Sequence, residues 1–325
     1  MKLENKTILI TGGAGFIGSN LGEYLIKNNR VICLDNFSTG KKSNVAHLLD
    51  SPNFTLIEGD IRNIDDCIKA SKQVDVILHQ AALGSVPRSI EDPITTNEVN
   101  IGGFLNMLVA AKENKIKRFV YAASSSTYGD SKQLPKIEES IGSPLSPYAV
   151  TKYVNELYAN VFSSLHGIEV IGLRYFNVFG RKQDSEGAYA AAIPKFIKSL
   201  IKHEPPLIHG DGTQTRDFTY IDNVIQANEL AATTKNADAL NQVYNIACGE
   251  ETILKTLVQD LKDSLSKFDS KISKIEVANG PERIGDVRYS LASIEKAKRY
   301  LGYSPSHTVK QGVNEAIDWY WNDLN

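Results

Sequence analysis

Short β-branched runs recur along the first half of the chain, each followed by a longer stretch whose apolar residues return at helical spacing. The runs TILIT (7–11), VICLD (31–35), FTLIEGD (54–60), DVILHQAA (75–82), RFVYAAS (118–124) and EVIGLRYF (169–176) are rich in apolar residues on both parities, as strands covered on both faces must be. Between them, FIGSNLGEYLIKN, DDCIKASK, NIGGFLNMLVAAKEN and YAVTKYVNELYANVFSSL carry the i, i+3, i+4 pattern of helices with one buried face. Strand followed by helix, several times over, predicts a doubly wound parallel sheet. Beyond residue 177 the rhythm loosens. Helices are expected near AAIPKFIKSLIKH, DNVIQANELAATT, ETILKTLVQDLKDSLSK and LASIEKAKRYL, with a strand at QVYNIAC. The pattern therefore predicts a domain over 1–176 and a smaller, partly interleaved α/β lobe over 177–325, some segments of which return to the first.

Composition changes this picture little. The 325 residues are 42% hydrophobic and 23% charged, with a net charge of -2, close to globular averages. That balance gives no reason to expect nucleic acid or an anionic membrane as partner. The three cysteines, Cys33, Cys67 and Cys248, have neither disulfide-framework nor metal-ligand spacing, so no metal is expected and a reducing cytoplasm fits best. The start, MKLENKTILITGG, has too short an apolar run for a signal peptide, and no apolar stretch reaches the ~18 residues of a membrane span.

Candidate chemistry begins with TILITGGAGFIGSNL, where Gly12, Gly13, Gly15 and Gly18 join the first strand to the first helix. Glycines there permit a tight turn and a close backbone approach to a pyrophosphate, which rests on the positive helix N-terminus. The second strand ends at Asp35, near the ~20-residue offset at which an acid holds the adenosine ribose. An acid there repels a 2′-phosphate, which favours NAD over NADP; Lys41 and Lys42 nearby read as solvated loop. Asp60 and Ile61 end the third strand and Ala81 and Ala82 the fourth, at the carboxyl edge where open α/β sheets bind ligands.

In SPYAVTKYVNE, Tyr148 and Lys152 share one helix face at i and i+4. A tyrosine with an ordinary pKa of about 10 needs roughly three units of depression, about 4 kcal/mol, to act as a base near pH 7. A lysine ammonium one turn away, with a cationic nicotinamide, could supply it. The fifth strand ends in Ser124, Ser125 and Ser126, and Ser124 would present a hydroxyl at the same sheet edge.

Taken together, TGGAGFIGS, Asp35, GDIR, HQAA, SSSTYG, SPYAVTK and LRYFNVFG resemble the extended short-chain dehydrogenase/reductase family, in order and over essentially the whole chain. The resemblance implies a Rossmann-type fold, tightly held NAD, nucleotide-sugar substrates, and Ser124, Tyr148 and Lys152 as the catalytic trio. It implies cofactor contacts from Gly12, Gly15, Phe16, Ile17 and Gly18 on the glycine turn, and from Asp35, Asn36, Ser38 and Gly40 after the second strand. Asp60, Ile61, Gln80, Ala81, Ala82 and Tyr175 complete that set, with Asn100 orienting the active-site lysine.

The family's members differ around this common centre. Its 4,6-dehydratases resemble T-D-E-x-Y-G at the serine loop, whereas this chain has Ser124, Ser125, Ser126 and Thr127 before Tyr128, with no carboxylate to protonate a departing hydroxyl. The match is closer to the 4-epimerases that act on UDP-sugars, which need only oxidation, rotation of the 4-keto sugar and reduction. By resemblance, Asn177, Arg216 and Arg283 meet the diphosphate, Asp286 a ribose hydroxyl, and Phe218 and Ala192 the uracil. Gly84 and Ser85 resemble epimerases of N-acetylated UDP-sugars, and the small Ser290 leaves room for a 2-acetamido group; a shift of one in that alignment selects Tyr289 instead. The expectation is UDP-GlcNAc and UDP-GalNAc, or their uronic acids, as substrates for surface-polysaccharide synthesis. A UDP-glucose 4-epimerase, a decarboxylase (through Arg88), simple oxidation or a non-catalytic dinucleotide sensor are the alternatives. Helices 100–114 and 148–165 resemble the family's intersubunit pair, implying a homodimer.

Overall fold

Alternation along the strands builds a core on each face of one sheet. In β1 (Thr7–Thr11) Ile8 and Ile10 pack on one face and Leu9 on the other; in β2 (Arg30–Asp35) Val31 and Cys33 oppose Ile32 and Leu34. This period of two, with both faces buried, is what the near-continuous apolar runs encode. The computed structural model describes residues 2–186, 190–281 and 288–325.

The remaining strands are β3 (Phe54–Glu58), β4 (Val76–His79), β5 (Arg118–Ser124), β6 (Glu169–Tyr175) and β7 (Gln242–Ile246). They form a seven-stranded sheet in the order β7-β6-β5-β4-β1-β2-β3, and every neighbouring pair is parallel. The strand order reverses between β1 and β4, which opens a crevice at their carboxyl ends. β3 and β4 end before their sequence expectation, at Glu58 and His79; Gly59 and Gln80 give the last ladder bonds, donating their N–H groups to Asp35 O (3.1 Å) and Thr11 O (3.1 Å).

One face carries α1 (Phe16–Leu25) and α8 (Ile221–Thr233); the other carries α2 (Ile64–Ala70), α5 (Phe104–Glu113) and α6 (Pro147–His166). Between these lie α3 (Val86–Glu91), α4 (Pro93–Asn97) and α7 (Ala192–Ile201), with α9 (Leu254–Leu265), α10 (Glu295–Leu301) and α11 (Val309–Leu324) toward the C-terminus. The first core cluster runs on from α1 and α8 into α7, α9 and α11. Paired short strands, 178–179 with 219–220, 215–216 with 252–253 and 207–209 with 278–280, brace the C-terminal lobe. Among the described residues no helix is long and apolar enough to cross a membrane.

Candidate active site

A cavity of about 500 Å³ runs along the carboxyl edge of the sheet, walled by the ends of β1 to β6. Gly12 opens it with φ +65°, and a Cβ there would lie 2.8 Å from both N and Cα of Ala81, so only glycine lets the turn after β1 touch β4. Gly18 sits so close to the same turn that a Cβ would fall 2.2 Å from Gly12 O. Gly15, at the N-cap of helix α1, offers no side-chain cap, which leaves the first N–H groups of the helix, at the cavity-lining Phe16, Ile17 and Gly18, without a side-chain acceptor. The Asp35 carboxylate accepts from Ala14 N (2.9 Å) and Phe37 N (2.8 Å), locking the β1 and β2 turns together, and Gly40 packs its backbone against that carboxylate. Asp60 accepts from Asn36 Nδ2 (2.9 Å) and from the Arg62 guanidinium (2.6 Å), and the hydrogen bonds from Arg62 hold its carboxyl down at about 2. Gln80 accepts from the Tyr175 hydroxyl (3.2 Å) and donates to Asn228 (3.2 Å).

Of the residues expected at the cofactor, Gly12, Gly15, Phe16, Ile17, Gly18, Asp35, Asn36, Ser38, Asp60, Ile61, Gln80, Ala81, Ala82, Tyr148, Lys152 and Tyr175 line this one cavity. Gly40 and Asn100 stand behind the wall. Asn100 lies in a π-helical turn (Glu98–Gly103), where its side chain accepts from Leu83 N (2.8 Å) and donates to Thr151 Oγ1 (3.1 Å), while its carbonyl accepts from Asn155 Nδ2 (2.7 Å). It thereby ties the loop after β4 to α6, in a type of turn found often at functional sites.

The Ser146 hydroxyl caps α6 by accepting from Ala149 N (3.1 Å), and Pro147 fills the first helical position. Tyr148 thus enters the cavity from the first turn of α6 and Lys152 from the second. The buried ammonium of Lys152 donates to Ala122 O (2.8 Å) and lies 6.0 Å from the centre of the Tyr148 ring. Burial pushes its pKa down to about 8. Burial raises the Tyr148 phenol, and a hydrogen bond with Ser124 opposes that rise. Ser124 Oγ also accepts from Ser126 N (3.2 Å) and Ser126 Oγ (2.9 Å), which fixes it at the edge of β5. Beneath, the fully buried His79 hydrogen-bonds Thr11 Oγ1 (2.8 Å); burial first, then the Lys152 charge, hold it down at about 3, so its imidazole is neutral.

On the other side of the cavity Gly84, Ser124, Ser125 and Asn177 join the wall. Asn177 holds a left-handed φ of +35° and donates to Asp217 O (3.0 Å), a conformation uncommon for a side-chain-bearing residue. Ser85 lines an adjoining cavity of about 290 Å³ together with Arg88, Lys41 and Lys182. Ser126, Ala192, Arg216, Phe218 and Ser290 stand outside the main wall. Arg216 donates to Thr215 O (2.8 Å), Phe218 is buried edge-on against Phe179, and Ser290 is half-buried while Tyr289 is 46% exposed beside the Arg288 guanidinium. Arg283 and Asp286 lie outside the described residues.

The pattern-based reading missed Thr39, Gln183 and Ala191, which also line the cavity, and Asp217 behind it. Thr39 was the most legible, lying between the expected Ser38 and Gly40. The buried Asp217 carboxylate accepts from Cys248 N (3.0 Å), Gly249 N (3.1 Å) and Ala292 N (3.2 Å), joining three distant segments; no local pattern announces such a hub.

Comparison with known proteins agrees with this geometry. The model of the NAD dependent epimerase/dehydratase family matches residues 8–247. A Methanocaldococcus jannaschii protein named "Putative UDP-glucose 4-epimerase" is 38% identical over 97% of this chain and 99% of its own length. The UDP-N-acetylglucosamine 4-epimerase of Methanobrevibacter ruminantium, solved with UDP-N-acetylmuramic acid, superposes with a TM-score of 0.92 at 36% identity, covering 99% of this chain and 100% of that one. The UDP-glucuronic acid 4-epimerase of Bacillus cereus, solved with UDP-glucuronic acid and NAD, gives 0.87 at 32%, covering 98% and 100%. With a glycine turn, an acid after β2 and the Ser124, Tyr148 and Lys152 side chains on one cavity, the chain belongs to the NAD dependent epimerase/dehydratase family, whose cofactor is NAD.

Proposed function

We propose that this chain is an NAD-dependent 4-epimerase of UDP-N-acetylhexosamines that interconverts UDP-GlcNAc and UDP-GalNAc in the cytoplasm, for surface-polysaccharide synthesis. The observation that carries this reading is a cavity that brings Ser124, Tyr148 and Lys152 together beside a serine turn (Ser125–Tyr128) without a carboxylate. Such a site can move a proton on and off a sugar hydroxyl and has no acid there to expel one.

The glycine turn, which a Cβ would fill, and the uncapped start of α1 fit a dinucleotide pyrophosphate. Asp35 at the end of β2 fits an unphosphorylated adenosine ribose. NAD held by these residues would supply a hydride acceptor for carbon 4 of the sugar and, once reduced, the donor that returns the hydride to it. Tyr148 removes the proton of the 4-hydroxyl, Ser124 hydrogen-bonds that oxygen, and Lys152 stabilises the phenolate. Burial raises the phenol and the Ser124 hydrogen bond opposes that rise, so to act as a base it needs positive charge beside it, which the Lys152 ammonium would supply. Asn177, Ala192, Arg216, Phe218, Arg283 and Asp286 hold the UDP moiety while the 4-keto sugar turns.

Two features support an acetamido substrate. A Cβ on Gly84 would meet nothing within 4 Å, which leaves room beside the catalytic side chains, and the half-buried residue after Tyr289 is the small Ser290. A carboxylated sugar is a second reading, favoured by Arg88 in the cavity that shares Gly84 with the main one. The outer face of α6 supports a homodimer: Val150, Leu157, Val161 and Leu165 are exposed, Leu165 by 71%, and a ridge of that kind marks an interaction surface.

Tyr148→Phe should lower kcat by about 10²–10⁴-fold with NAD still bound; wild-type turnover would refute the assignment of the base. Ser290→Tyr should reduce turnover of UDP-GlcNAc more than that of UDP-glucose, and equal losses would count against the acetamido pocket.

A further inference from the structure

A polar cluster lies beneath the catalytic helix, apart from the cavity wall. Glu156 sits on α6 one turn beyond Lys152 and is 4% exposed; Arg174 of β6 is 3% exposed. The guanidinium grips the carboxylate with two hydrogen bonds, Nε to Oε1 at 2.8 Å and Nη2 to Oε2 at 2.7 Å, and donates a third to Glu138 O at 3.0 Å. It also lies over the Tyr128 ring, 4.8 Å from its centre. Tyr128 ends the turn Ser125–Tyr128 that begins directly after Ser124, and its hydroxyl donates to Asn245 Oδ1 (2.6 Å). Along the sheet, Arg174 is the register partner of Ala123, next to Ser124.

One guanidinium therefore touches both the helix that carries Tyr148 and Lys152 and the turn that follows Ser124. Lys152 docks α6 on β5 through Ala122 O, and Glu156 docks it on β6 one turn further along. Stability is a poor explanation for this pair. Taking two charges out of water costs several kcal/mol per ion, and well-packed apolar residues in such a place are often neutral or stabilising. The bidentate fork fixes direction as well as distance.

We propose that Glu156 and Arg174 are positioning residues that set the Tyr148 hydroxyl against Ser124. The proposal rests on the reading of Tyr148 as the base. The test compares the wild type with Glu156→Met/Arg174→Met, which replaces the pair by apolar side chains, and with Arg174→Lys and Glu156→Asp, which keep a charge pair but loosen its geometry. The measurements are kcat and KM for UDP-GlcNAc, retained NAD, and melting temperature. The double variant should melt close to the wild type, keep its NAD and its KM within about threefold, and lose about 100-fold in kcat, the cost of a misplacement of about 1 Å. The two conservative variants should recover part of that loss. A stable double variant with wild-type kcat overturns the proposal. Should the double variant not fold, wild-type kcat in both conservative variants overturns it, and a kcat loss at constant KM in either supports it. An unaltered chain that turns over no UDP-sugar would sink the epimerase reading and this proposal together, whereas an active wild type with an unaffected double variant sinks the proposal alone.

Discussion

Replacing Lys152 by methionine keeps the length of the side chain and removes its charge. The ammonium lies 6.0 Å from the centre of the Tyr148 ring. At an effective dielectric of about 20 a unit charge at that distance stabilises a phenolate by about 2.8 kcal/mol, which is about 2 pK units. Burial raises the phenol in the protein itself, so losing this support removes most of the reactive form at neutral pH. Lys152→Met is therefore expected to lower kcat at pH 7 by about 100-fold. Because burial holds Lys152 at about 8, the wild-type lysine is charged at pH 7 and loses its proton as the pH rises past 8. The gap between wild type and variant should narrow over the same range. The assay is kcat from pH 6 to 9.5 on protein loaded with NAD, together with the melting temperature, since Ala122 O loses its donor at a cost of about 1–3 kcal/mol. A variant with wild-type kcat at pH 7, or a deficit that stays constant across the pH range, would refute the electrostatic account of the lysine.

Gly12→Ala should weaken NAD binding at least tenfold in a calorimetric titration, because a left-handed alanine costs about 1–2 kcal/mol and its Cβ would press on the Ala81 backbone at 2.8 Å; unchanged affinity would contradict the close-approach argument. Asp217 has its carboxyl pushed up to about 7 by burial, above its unfolded value of about 3.9. Its contribution to stability is complete below pH 4 and is lost as the pH rises through 7. The melting temperature should thus fall between pH 5 and 8 more steeply in the wild type than in Asp217→Asn, and equal slopes would show that this carboxyl is not the source. Leu157→Glu, on the exposed ridge of α6, should convert a dimer to a monomer in sedimentation; a variant that stays dimeric would move the interface elsewhere, and a monomeric wild type would refute the dimer.

The sheet was legible because its strands are buried on both faces and their apolar runs stand clear of the amphipathic helices between them. The strand at 242–248 was legible too, and it returns to hydrogen-bond with β6 in the main sheet. The two short helices after β4 went unread, although Ser85 and Asp92 cap them and prolines follow both caps. Periodicity needs more turns than α3 and α4 possess. The C-terminal helix was also missed, despite a capping box between Thr308 and Gln311 that the spacing T-x-x-Q announces. At the site, residues carried on strand ends and on the glycine turn could be placed from sequence, because the sheet edge dictates where they go. Asp217, Glu156 and Arg174 could not, since their partners lie far off in the chain and only the folded topology brings them together.

The central claim is tested most directly by incubating the purified chain with UDP-GlcNAc, with and without added NAD, and resolving the nucleotide sugars by NMR. The account predicts UDP-GalNAc, with the same equilibrium mixture reached from either sugar and little turnover by Tyr148→Phe. No 4-epimer in the presence of NAD would contradict it.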